Sequence, residues 1–477
     1  MANNATTNEY RERELKFDVT SDWSLPDPGA LVPADGSVEQ ATVRLETTYY
    51  DTGAADLLRN RITLRRRAGD LDAGWHLKVP DGDARTEVRL PPGGDDVPAE
   101  LQDATLGLRR GAPLQPVAEL VTDREIHRIL DEDGTALVEI VVDNVTAMQI
   151  RDVGVTRRWR EVEVELVDGD EKLLQRIARW LTKRGAAPSL SGSKLARAVD
   201  VEPAKPRDRT TLAGLAGSYL DAQADAIVRG DIALRRGSPV VHQTRVATRR
   251  YRSVLRVLGG LFDAERASAL DAELAWFAGA LGLVRDHQVL AEHLDDELAE
   301  LPPELVLGPV RSRIRETLNA EELESAARLA ELMRTERYFA LLAELAAWRE
   351  QLPVAADEPV ENVARYLAKA RRKVKRRISH APAGEGRDAA LHRARKAAKR
   401  ARYVAELAVP ELGKNADKVR KSAKQVQSRL GLRQDHVVAA QFLRRVGAVA
   451  GSTPGENGFT FGLLFEHELT QARALSG

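Results

Sequence analysis

The sequence of 477 residues contains no cysteine, which excludes disulfide bonds and thiolate metal sites and is consistent with a reducing compartment. Aromatic residues make up only 5% of the chain, which disfavours a protein that stacks on nucleic-acid bases. No apolar run approaches the roughly 20 residues of a membrane-spanning helix, and the first residues, MANNATTNEY, lack the basic and apolar segments of a signal peptide. We therefore expect a cytoplasmic protein without membrane contacts.

The pattern of apolar residues divides the chain into two parts. A chain of this length is too long for one hydrophobic core, so two or three domains are expected. Residues 8–200 contain short alternating runs separated by turn residues, which predicts β-strands and one helix near 170–185. Residues 201–210 are polar with two prolines and are predicted to form a linker. From 211 to 477 the period is helical, so we predict an α+β chain with an all-α C-terminal domain.

Charged residues are concentrated on one face of each predicted strand, although 72 Lys and Arg balance 72 Asp and Glu overall. At a period of two residues, Glu12, Glu14 and Lys16 share one face, and Leu15 and Phe17 share the other. Such a face is either the solvent side of an antiparallel sheet or the lining of a closed barrel whose apolar outside is covered by helices. Its repetition over six strands favours the barrel, whose lining would suit a polyanion bound with divalent cations. The other charged faces contain Arg65 and Arg67, Lys78, Arg85, Glu87 and Arg89, Glu139 and Asp143, and Glu161, Glu163 and Glu165.

The motifs of this half resemble those of the CYTH family, the triphosphate tunnel enzymes named for a class of adenylate cyclase and thiamine triphosphatase. ERELK fits the E-x-E-x-K signature of that family, and the other motifs follow in the family's order over about residues 8–200. They are YYDT, LRRR, LKVP, RTE, VVD, EVEVEL and SKLAR. The resemblance implies an eight-stranded antiparallel tunnel that hydrolyses phosphoanhydrides with Mg²⁺ or Mn²⁺.

The resemblance also implies roles for individual residues. Glu12, Glu14 and Lys16 are implied to be catalytic. Phosphate groups are implied to be bound by Lys16, Arg65, Arg67, Lys78, Arg124 and Lys194. Metal ions are implied to be bound by Glu12, Glu14, Asp143, Glu163 and Glu165. Because this kind of hydrolysis depends mainly on positioning and charge stabilisation, it needs no Ser–His or Cys–His pair, and this half of the sequence contains neither such a pair nor a Walker A loop.

An internal repeat marks the C-terminal half. The segments HQTRVATRRYR at 242–252 and HRARKAAKRAR at 392–402 place basic residues at the same offsets from their first histidine. A second match, GLVRDHQVL at 282–290 and GLRQDHVVA at 431–439, follows at nearly the same spacing. Two agreeing matches predict that this half arose by duplication.

On a helix, offsets of 0, 3, 7 and 10 residues fall on one stripe. The first copy has no acidic residue between 242 and 256, and like charges one turn apart destabilise a helix. We therefore predict that each stripe binds an anion and is more than a solvated face. The predicted polyphosphate-binding residues are His242, Arg245, Arg249, Arg250, Arg252, His392, Arg395, Lys396, Lys399, Arg400 and Arg402.

Zinc and nucleic acid are the other candidate ligands of this half. Zinc is disfavoured because the candidate histidines have arginine neighbours and form no closely spaced H-x₃-H pair. Those histidines are His242, His287, His392 and His436. Nucleic acid is disfavoured because the basic helices offer little beyond Tyr251 and Tyr403 for stacking.

The two His-plus-basic segments and the two Asp–His segments resemble the CHAD family over about residues 211–475. This family is an α-helical domain named for its histidines, and it is often found after a CYTH domain. The resemblance implies two related helical bundles facing a basic cavity that binds inorganic polyphosphate.

Together these observations predict metal-dependent hydrolysis of a triphosphate or polyphosphate phosphoanhydride in the N-terminal tunnel, with polyphosphate binding by the C-terminal domain. The alternative is a non-enzymatic protein that binds polyphosphate or is targeted to polyphosphate granules in the cytoplasm. The strand carboxylates favour the enzyme, because anion binding alone needs none. An adenylate cyclase ranks lower, since no adenine pocket is indicated. The sequence leaves open the choice among inorganic triphosphate, thiamine triphosphate, a nucleotide and long polyphosphate, and also the oligomeric state.

Overall fold

The chain forms two compact units, residues 1–205 and 206–477, which are described separately. The computed structural model describes residues 8–69, 72–82, 84–150, 155–199, 206–382, 384 and 386–475. The first half of the predicted linker, residues 201–205, lies outside the described residues.

The first unit is a closed antiparallel β-barrel of eight strands, as predicted. Its strands are β1 (Asn8–Val19), β2 (Ser37–Asp51), β3 (Thr63–Ala68), β4 (Gly74–Asp81), β5 (Ala84–Leu90), β6 (Gln115–Leu130), β7 (Ala136–Gln149) and β8 (Thr156–Leu166). Their order is β5-β4-β3-β2-β6-β7-β8-β1. The barrel closes because β1 pairs with β5 through residues 8–12 and with β8 through residues 13–19. A short strand, β9 (Ala187–Pro188), also pairs with β1.

Helices cover the apolar outside of the barrel, as expected for a charged lining. They are α1 (Asp56–Arg59), α2 (Ala99–Ala104), α3 (Glu171–Thr182) and α4 (Lys194–Val199), with a 3₁₀ turn at Pro28–Leu31. The helix α3 begins after Asp170, whose carboxylate accepts a hydrogen bond from the Leu173 amide. Its Leu174 and Ile177 pack against outward-facing Phe17 and Val164 in one buried cluster. The charged faces therefore point into the barrel.

The second unit is all-helical. Its helices are α5 (Leu212–Arg235), α6 (Val241–Val257), α7 (Ala264–Glu300), α8 (Val310–Leu332), α9 (Glu336–Glu350), α10 (Val363–Ser379), α11 (Arg387–Leu412), α12 (Lys414–Ala450) and α13 (Phe459–Ala474). Short 3₁₀ turns lie at Pro303–Leu305 and Val360–Asn362. The duplicated segments occupy equivalent places, since α6 and α7 carry the first copy and α11 and α12 carry the second.

The helix α7 is the one helix, in the part of the chain that the structure describes, that is long and apolar enough by composition to cross a bilayer. Its Leu270, Leu274 and Phe277 are buried. The Phe277 ring lies 5.0 Å from the ring of Tyr338 on α9. These contacts are those of a core helix.

Candidate functional site

The barrel encloses a cavity of about 290 Å³ with a mostly charged lining. Ten residues assigned to the site from the sequence line this cavity. They are Glu12, Glu14, Lys16, Arg65, Arg67, Lys78, Arg124, Glu163, Glu165 and Lys194. The eleventh, Asp143, is fully buried and contacts two lining residues, Arg124 and Lys194. The strand alternation thus brings the predicted strand residues together, and the start of α4 adds Lys194.

A row of three carboxylates crosses three adjacent strands. The register places Glu14 of β1 opposite Glu165 of β8, and Glu165 opposite Glu139 of β7, with all three in the cavity lining. Among the described residues, Glu165 has no hydrogen-bond or ion-pair partner within bonding distance. Burial and the nearby Glu12 raise the pKa of Glu165 to about 7. Neighbouring carboxylates repel one another unless a cation lies beside them. Here Lys16 lies 3.2 Å from Glu14 and Arg128 bonds Glu139 at 2.8 Å, so Glu165 is the member of the row without a close counter-charge among the described residues.

Two other carboxylates are neutralised by basic side chains. Glu163 pairs with Lys16, with Lys194 at 2.9 Å and with Arg124 at 3.2 Å. Despite its burial, these cations hold the pKa of Glu163 well below its usual range. Asp143 accepts two hydrogen bonds from Arg124, at 2.8 and 2.7 Å, and pairs with Lys194 at 2.9 Å. Asp143 therefore fixes the direction of two cations in the lining.

Glu87 of β5 organises another group of charged side chains. It is fully buried and bonds the Nδ1 atom of His76 at 2.9 Å and the Nε atom of Arg89 at 2.5 Å. Lys78 lies 3.6 Å from Glu87 and 2.5 Å from Glu12. Burial raises the pKa of Glu87. The hydrogen bond with His76 and the charge of Lys78 act in the opposite direction, and the resulting pKa lies far below the usual value of a glutamate. Glu87 therefore stays ionised and holds these cations in place.

Arg65 and Arg67 provide donors for an anion. They alternate with Arg66, which points outward and pairs with Asp95 at 2.6 Å. The Nε atoms of Arg65 and Arg67 are buried and, among the described residues, have no hydrogen-bond partner. The pKa of Arg67 is lowered to about 10, mainly by burial and then by the positive charges of Arg65 and Arg124. Buried cations that repel one another and keep free donors are suited to bind a multivalent anion.

In the helical unit, α6 and α11 bring the two basic stripes together. The positive charges of Arg245 and Arg249 on α6 help to lower the pKa of Arg395 and Lys399 on α11. All four side chains are half-buried. We call these four residues the shared cationic group. The Nε atoms of Arg249 and Arg395 are buried and lack a hydrogen-bond partner among the described residues.

A close helix contact positions the first arginine of this group. Arg245 bonds Asp286 of α7 at 2.8 Å and lies over Gly282 of the same helix. A Cβ atom at Gly282 would come within 3.0 Å of the Arg245 Nη2 atom, which is tighter than ordinary contact. Glycine at this position therefore lets the guanidinium lie against the helix.

The second copy repeats this contact. Arg395 lies 4.0 Å from Asp435 of α12, and a Cβ atom at Gly431 would come within 3.2 Å of the Arg395 Nη2 atom. The glycine precedes the aspartate by four residues in both copies. The paired motifs GLVRDH and GLRQDH thus hold one arginine of each copy against the helix that carries the motif.

The remaining residues predicted for this site lie outside the shared cationic group. His242 and His392 are exposed, and partial loss of hydration, followed by the charges of neighbouring arginines and lysines, lowers the pKa of each. Arg250 pairs with Glu406, Arg252 with Asp271 at 3.0 Å, and Arg402 with Gln427 at 3.3 Å. Lys396 is exposed, and Arg400 is half-buried. Helix α6 itself contains no acidic residue. Carboxylates of the neighbouring helices α7 and α11 neutralise part of its basic stripe.

Comparison with known proteins agrees with this architecture. The CYTH domain profile matches residues 10–199, and the CHAD domain profile matches residues 218–444. Two uncharacterized proteins of Mycobacterium tuberculosis, from strains CDC 1551 and H37Rv, are each 38% identical over 495 aligned positions. The alignment covers 96% of this chain and 93% of each relative. The chain is a CYTH–CHAD protein.

Solved structures similar to this CYTH–CHAD protein include PptA from Streptomyces chartreusis and the CHAD domain from the plant Ricinus communis. The first is 18% identical with a TM-score of 0.48, and the match covers 56% of this chain and 96% of that chain. The second is 22% identical with a TM-score of 0.44, and the match covers 57% of this chain and 90% of that chain.

The structure adds residues to the CYTH cavity that the sequence motifs did not assign. They are Tyr49, Asp72, Arg85, Arg89, Arg128 and Glu139. Arg85, Arg89 and Glu139 lie on charged strand faces that alternation indicates, so the pattern could have found them. Asp72 follows two residues outside the described part and had no such signal.

Proposed function

We propose that the CYTH domain hydrolyses a triphosphate-type phosphoanhydride with Mg²⁺ or Mn²⁺, and that the CHAD domain binds inorganic polyphosphate. The observation that carries the enzymatic proposal is the composition of one closed cavity. It holds arginines with free buried N–H donors together with a row of three neighbouring carboxylates. An anion site alone would need only the arginines.

The carboxylates fit a hard divalent cation. Glu12, Glu14 and Glu165 offer oxygen ligands in one lining, and burial, followed by the charge of Glu12, raises the pKa of Glu165 to about 7 although Lys78 opposes the shift. Glu163 would join them once its basic partners turn to the substrate. When bound, the ion neutralises charge on phosphate oxygens and lowers the pKa of a bound water.

The basic side chains position the phosphate chain. Lys16 lies 3.2 Å from Glu14 and also pairs with Glu163. Although burial lowers the pKa of Lys16, these two carboxylates raise it above its usual value, so Lys16 remains a cation and acts as a phosphate ligand. Arg124, held by Asp143, presents a fixed guanidinium to the same cavity. Binding in a closed barrel excludes bulk water from these contacts, which strengthens them.

Phosphate release tests the proposal directly. The full-length protein is assayed with inorganic triphosphate, thiamine triphosphate, a nucleoside triphosphate and long-chain polyphosphate, each with Mg²⁺, Mn²⁺ or no added metal. We expect release from at least one of them that requires the metal. Release from none would favour the alternative of a non-enzymatic polyphosphate-binding protein.

Replacing Arg65 or Arg67 by alanine should weaken triphosphate binding by about 1.5–3 kcal/mol each, because each change removes charge-assisted donors from the cavity. Isothermal titration calorimetry with a non-hydrolysed triphosphate measures this loss. Arg66→Ala is the matched control, since Arg66 lies between them and points to the outside. If Arg66→Ala weakened binding as much as the other two, the cavity would not be the binding site.

The CHAD proposal rests on the shared cationic group. Four basic side chains from two repeats lie near one another, and the buried Nε atoms of two of them, Arg249 and Arg395, lack hydrogen-bond partners among the described residues. Because repulsion among them is relieved by an anion with closely spaced charges, an extended phosphate chain is a suitable ligand. The same group offers no aromatic surface for bases, which favours polyphosphate over nucleic acid.

Polyphosphate binding should weaken as the pH rises from 7 to 9. The pKa of Lys399 is lowered to about 7, mainly by burial and then by the positive charges of Arg395, Arg249 and Arg245. The carboxylate of Asp435 opposes this shift. A bound polyanion raises this pKa again, so binding takes up a proton, and affinity falls by at most about tenfold per pH unit. Fluorescence anisotropy with labelled long-chain polyphosphate measures the slope.

Lys399→Arg is the control for this pH effect, because arginine stays charged throughout the range. The variant should still bind polyphosphate but with a nearly flat profile between pH 7 and 9. An unchanged slope in Lys399→Arg would show that another group titrates.

A further inference from the structure

Three helices of the CHAD domain meet at a buried carboxylate. Glu468 of α13 is 0% exposed. Its Oε2 atom bonds the Nδ1 atom of His436 on α12 at 2.6 Å, and its Oε1 atom bonds the Nε2 atom of His293 on α7 at 2.8 Å. His436 is buried, and His293 is half-buried, which leaves a route for a small ligand.

The two imidazoles and the carboxylate lie close enough together to share one metal ion. One ligand atom from each of the three residues lies within 4.8 Å of the others. The ring centroids of His293 and His436 are 5.2 Å apart at an interplanar angle of 75°. Two imidazoles bound to one tetrahedral Zn²⁺, with Zn–N distances of about 2.0–2.1 Å, have ring centres roughly 5 Å apart. An ion therefore requires only small side-chain movements.

The surroundings of this cluster are acidic. Glu297, one turn after His293 on α7, pairs with His467 at 3.1 Å. Asp435 directly precedes His436 on α12, so two further carboxylates, Asp435 and Glu297, lie next in sequence or one turn away from the two histidines. The local field thus favours a cation, despite the arginines elsewhere in the domain.

The first repeat provides an internal comparison. There the equivalent histidine, His287, lies 3.6 Å from Glu321 of α8. Arg445 also pairs with Glu321, at 2.7 Å. A guanidinium thus neutralises this carboxylate, whereas Glu468 is bonded by two imidazoles. Of the two equivalent histidines, His436 is the one that shares its carboxylate with a second imidazole among the described residues.

We propose that His293, His436 and Glu468 bind a divalent transition metal of the Zn²⁺ type, with water completing the coordination. Two imidazoles and one carboxylate are a common ligand set for such ions. Because His293 belongs to the first repeat and the other two ligands to the second, the ion would join the two repeats. Its three ligands are not among the residues assigned to phosphate binding or to the tunnel lining.

The test compares bound metal in matched full-length variants. The protein is loaded with Zn²⁺ in excess Mg²⁺, which competes at the oxygen ligands of the tunnel, and bound zinc is measured after desalting. We expect wild type to retain one more equivalent of zinc than Glu468→Gln and His293→Gln. His287→Gln, the matched control in the first repeat, should retain as much zinc as wild type. Loading with Co²⁺ should give the visible absorption of a tetrahedral site in wild type and in His287→Gln only.

Equal zinc in wild type and His293→Gln, without a difference in the Co²⁺ spectrum, would overturn the proposal and leave the cluster as a hydrogen-bonded brace. His293→Gln keeps the test decisive if Glu468→Gln does not fold, because His293 is half-buried and glutamine retains a donor. As a second measurement, Zn²⁺ should raise the melting temperature of wild type, and this rise should be absent from His293→Gln.

Discussion

A Glu12→Gln, Glu14→Gln double variant should lose metal-dependent phosphate release, with kcat/KM falling on the order of 10²–10³-fold or more, because several kcal/mol of metal-derived stabilisation are removed. Both carboxylates lie in the tunnel lining, and Glu14 belongs to the row with Glu165 and Glu139. Phosphate release with Mg²⁺ and Mn²⁺ measures the loss.

The control is a Glu119→Gln, Asp123→Asn variant, which removes two exposed carboxylates from β6 of the same barrel. It should keep wild-type turnover. Circular dichroism and thermal melting must show that the tunnel variant remains folded. A folded Glu12→Gln, Glu14→Gln protein with near wild-type turnover would contradict the assignment of these residues to metal binding.

Reversing the charge of Arg395 and Lys399 should weaken polyphosphate binding by about 10²-fold or more, because two charge-assisted contacts worth ~1.5–3 kcal/mol each are lost. Reversal of Arg245 and Arg249 should have a similar effect, since the two pairs face one another. The affinity of wild type should also fall steeply with salt, because each phosphate contact releases counterions. Fluorescence anisotropy with labelled polyphosphate measures both effects.

The comparison variant reverses Arg328 and Arg334, which are exposed outside the repeats. It should bind polyphosphate almost as wild type does. Duplex DNA, added as competitor at equal phosphate concentration, should compete poorly. If DNA competed equally well, or if the comparison variant lost as much affinity, the CHAD domain would have only a generic basic surface.

The lining of the barrel could be predicted from the sequence because a strand fixes which side chains share a face. The alternation of β1 is enough to place Glu12, Glu14 and Lys16 together, and the structure has all three in the cavity. The strand β6 is harder to recognise, because charges occur on both its faces: Asp123 points outward and Arg124 points inward. Its role follows only from its pairing with β2 and β7.

Contacts between distant segments could not be predicted in this way. The sequence shows that Arg245 has no acid on its own helix, but not that Asp286, 41 positions later, reaches it from α7. Likewise, His293 and Glu468 are 175 positions apart and share no motif. Their meeting depends on the packing of three helices, which no local pattern determines.

The two-sided pairing of β1 has a consequence for folding during synthesis. Glu12 pairs with Arg85, 73 positions later, and Glu14 pairs with Glu165, 151 positions later. The strand that carries these carboxylates therefore leaves the ribosome before either partner strand and pairs only when each has been synthesised. Because such non-local pairing is slow, ring closure through β8 is the late event that assembles the tunnel. It can nevertheless be completed before the helical domain has been translated, since β8 ends at Leu166.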